Sequence, residues 1–307
     1  MSQRKSPLME HPVKQIGFVG VGVMGEPMCR NLRTKSDIPV RAYDQDDRPL
    51  QRLEAHGVTI GCSIKDVAAN SDVVFLSLPS GEVVSEVAHK DLLHLAQPDQ
   101  IFVDLSTSAV GSTRKLGEEF AEKGATFIDA PIARTRAAAE AGTLSVMVGA
   151  DPKTFGKVRP LIATFAEEIT LCGPLGSGQV LKILNNLVLF HSVCVLSEVK
   201  EIGIRAGVDP RLLFDTLSKG SADSFALKSH GMKSILPENF PFRAFSVRYA
   251  HKDLKYAMAL ADEVGVELHG AKSIDTLFAE ASEKGLGEQY WPVISQLVRK
   301  SSILPDN

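Results

Sequence analysis

A lysine and an asparagine stand one helical turn apart in an otherwise strongly apolar stretch. Lys182 and Asn186 lie in VLKILNNLVLF, which begins at Val180. On a helix they share one face, with Gly178 one turn earlier. Because burying such groups unpaired is costly, a chemical role is plausible: Lys182 could exchange a proton with a substrate oxygen and Asn186 could hold a hydroxyl or carboxylate. The alternative is a lysine that extends to solvent and an asparagine bonded to backbone.

Three glycines have the spacing G-x-G-x-x-G directly after the apolar run IGFV and before a helical pattern. Gly20 allows a tight turn, Gly22 lets the backbone approach a pyrophosphate, and Gly25 allows close helix–sheet packing. The helix N-terminus adds positive potential. The spacing predicts a dinucleotide site, to which we also assign Val23 and Met24.

An acidic residue stands where such a site requires one. Asp44 ends the second apolar run and can accept hydrogen bonds from the adenosine ribose while repelling a 2′-phosphate. Gln45 follows it, so the pattern favours NAD over NADP, although Arg41 and Arg48 lie nearby in the sequence. The alternative is an aspartate that merely caps a helix.

The elements that must position these residues follow from the hydrophobic pattern. Between short apolar runs lie amphipathic segments at 24–34, 48–56, 82–93 and 112–123. The runs are IGFVG from Ile16, VRAYD from Val40, DVVFLSLP from Asp72, IFVDLS from Ile101, TFIDAP from Thr126 and LSVMVG from Leu144. Such runs are typical of parallel strands covered on both faces, and their alternation with helices predicts a doubly wound α/β sheet.

After Pro174 the pattern becomes helical. A long helix is predicted from Gly178 to about Ala206, and further helices are predicted at 211–219, 253–264, 271–284 and 291–300. We therefore predict an α/β domain at 13–176 and an all-helical domain at 177–307, linked by the long helix.

Composition excludes several classes of function. The net charge of -3 offers no electrostatic basis for binding nucleic acid. The four cysteines are widely separated, which predicts free thiols and no metal site. No secretory signal is evident at the start, so we expect a cytoplasmic protein. The long apolar stretch could span a bilayer, but its lysine and asparagines favour a helix buried in protein, and no membrane partner is expected.

Four sequence blocks, in order, resemble the β-hydroxyacid dehydrogenase family, which includes 3-hydroxyisobutyrate dehydrogenase and tartronate semialdehyde reductase. They are GFVGVGVMGEPMCRNL from Gly17, DAPIARTRAAAEAGTLSVMVG from Asp129, GPLGSGQVLKILNN from Gly173 and HKDLKYA from His251. The resemblance implies a Rossmann-type doubly wound sheet followed by an all-α C-terminal domain. It also implies a homodimer or homotetramer that reversibly oxidises short 3-hydroxy acids to semialdehydes with NAD or NADP.

The resemblance also assigns roles to single residues. It implies that Lys182 is catalytic and that Asn186 binds substrate. It also implies that Thr107, in DLST, contacts the nicotinamide portion of the cofactor and that Lys252 lies beside the cofactor. Without it, Thr107 would be an ordinary cap after a strand and Lys252 an ordinary lysine at a helix start. We add Leu78 and Pro79, at the end of the DVVFLSLP run, as cofactor contacts.

The substrate block departs from the family pattern. Where the family has Ser-Gly-Gly, this chain has Ala133, Arg134 and Thr135. A guanidinium suits an anion with several oxygens, and a similar sequence occurs in the sulfolactaldehyde reductase branch. We therefore predict that Arg134 and Thr135 bind substrate, either a plain carboxylate or a sulfonate, phosphonate or dicarboxylate semialdehyde. Alternatively Arg134 pairs structurally, or Arg136 faces the site instead.

Two other residues and two other functions stay open. Tyr290 and Trp291 could line the substrate pocket or pack between helices. An imine reductase would share this architecture, and a non-catalytic NAD-binding protein would keep the glycine pattern. Both usually lack the catalytic lysine of the family, so Lys182 favours a dehydrogenase.

Overall fold

The computed structural model describes residues 13–242 and 244–298. The chain divides into two compact units, Met1–Lys182 and Ile183–Asn307. The division falls six residues after the boundary predicted at 176, inside the long helix. The first turns of that helix form hydrogen bonds to the first unit, which explains the difference.

The first unit is built on one sheet. Its strands are β1 (Ile16–Val19), β2 (Val40–Tyr43), β3 (Thr59–Ile60), β4 (Val73–Leu76), β5 (Ile101–Asp104), β6 (Thr126–Asp129), β7 (Ile132–Ala133), β8 (Leu144–Gly149) and β9 (Ala166–Gly173). The order is β3-β2-β1-β4-β5-β6-β8-β7, with β9 also paired to β8. Strands β1 to β6 pair in parallel, in the order typical of dinucleotide-binding sheets. Strand β8 is antiparallel to β6 and β7.

Helices connect these strands and cover them. They are α1 (Gly25–Lys35), α2 (Asp47–Glu54), α3 (Ile64–Ala69), α4 (Gly81–Val87), α5 (Val110–Ala121), α6 (Arg136–Ala141) and α7 (Pro152–Ile162), with a π-helical turn at Ala88–Leu92 after α4. Side chains of Asp46, Ser63, Ser80 and Asp151 cap α2, α3, α4 and α7. Each cap satisfies amide groups that the first turn leaves without a partner.

Both faces of the sheet are buried, as the continuous apolar runs predict. Along β4, alternate residues point to opposite faces, so Phe75 joins one apolar cluster and Val74 joins another. Phe18 stacks on Phe75 with ring centroids 5.9 Å apart, and on the other face Phe102 lies 4.4 Å from Phe120. The doubly wound α/β prediction is confirmed, with the reversed strand β8 as an added feature.

The second unit is helical within its described residues. It contains most of α8 (Ser177–Arg205), which begins in the first unit, followed by α9 (Pro210–Leu217), a π-helical segment (Leu227–Ile235), α10 (Val247–Glu263), α11 (Ala271–Glu283) and a 3-10 helix (Trp291–Gln296). Two isolated bridges, Phe242 with Gln289 and Ser246 with Tyr290, are its described β contacts. Its core centres on Phe190, whose ring packs edge-on against Phe278 and Trp291.

Helix α8 is less buried than its composition predicts. It is long and apolar enough to cross a membrane by length and composition alone, a test that core helices of globular proteins also pass. One face packs inward through Ile183, Phe190 and Val193, which are fully buried. Several apolar side chains on another face are exposed, including Val188 at 68% and Ile202 at 66%.

Candidate active site

The glycine turn after β1 has the geometry of a phosphate cradle. Gly20 has φ +87, and a Cβ there would overlap the carbonyl oxygen of Ser77, so only glycine fits. A Cβ at Gly25 would overlap the carbonyl oxygen of Gly20. A Cβ at Gly22, in contrast, would meet nothing within 4 Å. The backbone is thus open to a ligand at the middle glycine, where a pyrophosphate needs close approach.

Asp44 is fixed beside this turn. Its Oδ2 accepts a hydrogen bond from the Val21 amide at 2.6 Å, and its Oδ1 accepts one from the Asp46 amide at 2.9 Å. Asp46, rather than Asp44, caps α2 by accepting from the Arg48 amide. An ionised carboxylate has further lone pairs, so Asp44 can still accept from ribose hydroxyls. This arrangement fits the adenosine half of a dinucleotide.

The two nearby arginines are both paired with acids. Arg48 lies 2.7 Å from the Asp46 carboxylate, and Arg41 lies 3.0 Å from that of Asp66. The Arg48 guanidinium also lowers the pKa of Asp46 to about 2. Each guanidinium therefore already has a carboxylate partner and is not positioned for a 2′-phosphate. This is consistent with the preference for NAD predicted from Asp44.

The remaining predicted cofactor residues of the first unit gather at the carboxyl edge of the same strands. β1, β4 and β5 end in register, with Val19 opposite Leu76 and Leu76 opposite Asp104. The Leu78 side chain lies beside Gly20, and its amide donates to Ser106 Oγ at 2.9 Å. Val23 is exposed, Met24 and Thr107 are half-buried, and Pro79 is exposed. These residues border one region around the glycine turn.

Asp129, at the end of β6, holds the start of α8. Its fully buried carboxylate accepts from the Gly176 and Gln179 amides, both at 2.7 Å. Burial raises the pKa of Asp129 to about 6; the amide hydrogen bonds oppose this shift, and nearby Asp104 adds to it. A Cβ at Gly178 would overlap the Met147 carbonyl oxygen, so the close packing of this turn against β8 requires glycine. The sequence reasoning did not single out Asp129 or Gln179.

Lys182 and Asn186 follow on the same helix. Lys182, half-buried, comes one turn after Gly178 and closes the first unit. Asn186, in the second unit, is buried, and its Nδ2 donates to Asp253 Oδ2 at 2.8 Å. The other oxygen of that buried carboxylate lies 2.9 Å from Lys252 Nζ, at ion-pair distance but without the alignment of a hydrogen bond. The structure thus brings predicted residues Asn186 and Lys252 together through Asp253, which the sequence reasoning missed.

Lys252 has a second contact in the same unit. Its Nζ lies 4.8 Å from the ring centroid of Tyr256, a cation–π distance. A carboxylate on one side and an aromatic face on the other restrict the ammonium. Lys252 is therefore not the ordinary exposed lysine that the sequence alone allows.

Arg134 is held at the surface. Its φ of +84 lies in the left-handed region, which favours glycine and is uncommon for a side chain of this size. Its Nη1 donates to the Thr143 carbonyl oxygen at 2.6 Å and to Glu167 at 3.0 Å. Thr135, also exposed, precedes α6, and Arg136 pairs with Glu140 at 2.9 Å. Of the alternatives for Arg134, this geometry favours structural pairing, while a substrate contact stays a prediction.

Tyr290 and Trp291 serve packing in the second unit. Trp291 is fully buried against Phe190 and Phe278. The Tyr290 hydroxyl lies 2.6 Å from His230 Nδ1, and burial lowers the pKa of His230 to about 4 while raising that of Tyr290 to about 12. The pair is therefore neutral near pH 7.

Comparison with known proteins matches both parts of the chain. Residues 15–173 match the family described as the NAD binding domain of 6-phosphogluconate dehydrogenase. Residues 176–294 match the family described as NAD-binding of NADP-dependent 3-hydroxyisobutyrate dehydrogenase. Together the two matches cover the Rossmann-type sheet and the helical unit, and they support NAD as cofactor, with NADP possible.

Individual relatives extend over nearly the whole chain. The 2-(hydroxymethyl)glutarate dehydrogenase of Eubacterium barkeri is 33% identical over 283 residues, 92% of this chain and 93% of the relative. The NAD-dependent L-serine dehydrogenase of Pseudomonas aeruginosa is 30% identical, covering 93% and 98%. A solved structure of Mycobacterium tuberculosis 3-hydroxyisobutyrate dehydrogenase with L-serine has a TM-score of 0.85 at 29% identity, covering 93% and 99%.

Proposed function

The chain belongs to the β-hydroxyacid dehydrogenase family, whose members are NAD(P)-dependent oxidoreductases, and from this premise we propose its reaction. It transfers hydride reversibly between NAD and a small 3-hydroxy acid, giving the semialdehyde. The observation that carries the proposal is the placement of Lys182 on α8, between an anchored first turn and the buried Asn186. The glycine turn and Asp44 provide the dinucleotide-binding site that hydride transfer to NAD requires.

The residues divide the work as follows. Bound NAD would supply the acceptor, and NADH the donor, for the hydride that is exchanged at the alcohol carbon. Lys182 takes the proton of the alcohol during oxidation and gives it back to the carbonyl oxygen during reduction. Asn186, oriented by Asp253, holds the substrate hydroxyl or carboxylate. Asp44 and the open backbone at Gly22 hold the adenosine and pyrophosphate.

We infer the class of substrate from a chemical feature that the substrates in the relatives' names share. L-Serine, 3-hydroxyisobutyrate and 2-(hydroxymethyl)glutarate each carry a hydroxymethyl group on the carbon next to a carboxylate. We expect such an acid to be the substrate here. The test is a panel of 3-hydroxy acids, their sulfonate and phosphonate analogues, and the matching semialdehydes, followed by NADH absorbance. Turnover confined to carboxylates supports the proposal, and turnover confined to sulfonates would support the sulfolactaldehyde reductase-like alternative.

Exchange of Arg134 for glycine tests whether this side chain contacts the substrate anion. The sequence alone predicts a raised KM after Arg134→Gly. Because the guanidinium already pairs with Glu167 and Thr143, we now expect the KM for the hydroxy acid to change by less than about threefold, as for other exposed ion pairs. Arg136→Gly, two residues further along the chain and also paired with an acid, is the matched control. A selective rise of about tenfold or more after Arg134→Gly would place the side chain on the substrate anion.

Exchange of Asp44 tests the cofactor preference. We expect Asp44→Ala to reduce the preference for NAD over NADP by about tenfold, since it removes ribose hydrogen bonds and the repulsion of a 2′-phosphate. The measurement is the ratio of kcat/KM for the two cofactors. Asp47→Ala, which removes an exposed carboxylate from the first turn of α2 and leaves the Asp46–Arg48 pair intact, is the control. If both variants keep the wild-type ratio, another group sets the preference.

We further propose that the chain is a homodimer or homotetramer assembled through α8. An exposed apolar row, 42% to 68% accessible, runs along the helix with spacings of three, four and seven residues; it comprises Leu181, Leu184, Val188, Val195 and Ile202. The row is self-complementary: in an antiparallel pair centred between His191 and Ser192, Leu181 faces Ile202 and Val188 faces Val195. The occupant is therefore a second copy of the same helix.

Light scattering after size-exclusion chromatography tests this assembly. Val188→Lys should lower the molar mass by placing one charge at each of the two Val188–Val195 contacts, whereas Val264→Lys, at another exposed valine, should not. Equal masses for the wild type and both variants would contradict the assignment of the face. The cytoplasmic location stays a prediction.

A further inference from the structure

Gln179 is fully buried, and its side-chain amide forms two hydrogen bonds to one short loop after β5. Its Oε1 accepts a hydrogen bond from the Ser108 amide at 3.0 Å, and its Nε2 donates to the Ser106 carbonyl oxygen at 2.8 Å. These two backbone groups flank Thr107. One side chain therefore fixes the backbone on both sides of the residue that we assign to the nicotinamide half of the cofactor.

The position of Gln179 is itself fixed from the helix side. Its amide donates to Asp129 Oδ2, and the same carboxylate receives the Gly176 amide. Gly178 packs without space for a side chain against the Met147 carbonyl oxygen of β8. The first turn of α8 therefore cannot shift easily, and the side-chain amide of Gln179 transmits this position to the loop.

The loop is held on its other side by a second set of buried bonds. Ser106 Oγ accepts from the Leu78 amide, the Ser106 amide donates to Asp104 Oδ1, and Ser108 Oγ donates to Asp104 Oδ2 at 2.8 Å. These bonds fix the loop within the sheet edge. The contacts of Gln179 connect that edge to the helix carrying Lys182, three residues further on.

We infer that Gln179 is a positioning residue that sets the Thr107 loop relative to Lys182. This position matters for catalysis because hydride transfer requires the reacting atoms to be aligned and about 3 to 3.5 Å apart. Loss of the two Gln179 hydrogen bonds leaves the loop attached to the sheet edge through Ser106 and Ser108 but removes its link to α8, so that Thr107 can shift relative to the proton-exchanging lysine. The inference rests on the proposed function for the role of Lys182, but its binding test does not require turnover.

The first test compares two ligands that differ in the nicotinamide. Titration of Gln179→Met with NADH and with ADP-ribose should show about tenfold weaker NADH binding and almost unchanged ADP-ribose binding, because the adenosine side of the cradle is untouched. The matched control is Gln100→Met, another buried amide in the same unit that donates to the Ala68 and Ser71 carbonyl oxygens. Equal effects on both ligands, or on neither, would overturn the inference.

The second test uses turnover and separates positioning from simple stability. Gln179→Met should lower kcat and raise the primary deuterium isotope effect on hydride transfer, with little change in the KM for the hydroxy acid.

The variant Gln179→Glu adds a pH-dependent test. Its carboxyl group keeps the acceptor for the Ser108 amide, but it has a donor for the Ser106 carbonyl oxygen only when it is protonated. The kcat of this variant relative to wild type should therefore rise as pH falls. Gln100→Met should lower stability alone, and the same outcome for Gln179→Met would contradict the proposal. A wild type without turnover would contradict the proposed function, and the ligand comparison would still decide the role of Gln179.

Discussion

Replacing Lys182 with methionine is expected to lower kcat by about 10² to 10⁴, the usual contribution of a positioned proton donor. Methionine keeps an unbranched side chain of similar length but has no exchangeable proton. Binding of NADH should change little, because the glycine turn and Asp44 lie on other elements. The measurement is steady-state oxidation of the best hydroxy acid from the panel, together with NADH titration of the same variant.

A second lysine on the same helix provides the control. Lys200 is buried, and its Nζ donates to the Ile235 carbonyl oxygen at 2.8 Å. Lys200→Met should therefore lower the free energy of unfolding but leave kcat near the wild-type value. If Lys182→Met retained wild-type kcat, the proton would be carried by another group and the proposed mechanism would be wrong.

The second large effect concerns Asp129 and the pH dependence of stability. Its pKa is raised by burial to about 6 in the folded protein, above the ordinary value of 3.8. A raised folded-state pKa means that the folded protein holds this proton more tightly than the unfolded chain. The resulting stabilisation is complete below about pH 4 and is lost as pH rises through 6, a change of about 3 kcal/mol.

The variant Asp129→Asn isolates this titration. Asparagine does not ionise, so the difference in unfolding free energy, wild type minus variant, should fall by about 2 kcal/mol between pH 4 and pH 7. At pH 4 the variant should be less stable by about 1 to 3 kcal/mol, because its NH₂ group faces one of two backbone amides that need an acceptor. Chemical denaturation at several pH values measures both. A difference that stays constant with pH would show that Asp129 does not titrate in this window.

Local pattern was sufficient for most of the fold. The six apolar runs each contain a strand, and the glycine turn with Asp44 is found where its spacing placed it. Strands β3 and β7 have two residues each, too few for a periodic signal. Strand β9 was missed because it carries exposed Glu167 and Glu168 and pairs only with β8, so it lacks an apolar run.

The site was less predictable because its bonds are long-range. Gln179 meets Ser106 and Ser108 more than seventy residues away in the chain, and Asp129 meets the start of α8 across fifty. Sequence motifs describe residues that are close together in the chain, so they do not predict hydrogen bonds between residues this far apart. The one signal in the sequence was the position of Gln179, a polar residue at the start of a strongly apolar helix, between Gly178 and Lys182. Arg134 shows the reverse case: its charge suggested an anion site, whereas its backbone conformation and the Glu167 pair became evident only in the structure.

The most direct measurement of the central claim is NADH formation by the wild-type protein with acids that carry a hydroxymethyl group beside a carboxylate. We predict reduction of the cofactor with at least one such acid, faster with NAD than with NADP, and the reverse reaction when the semialdehyde and NADH are supplied. A protein that binds NADH yet exchanges no hydride with any member of the panel would contradict it.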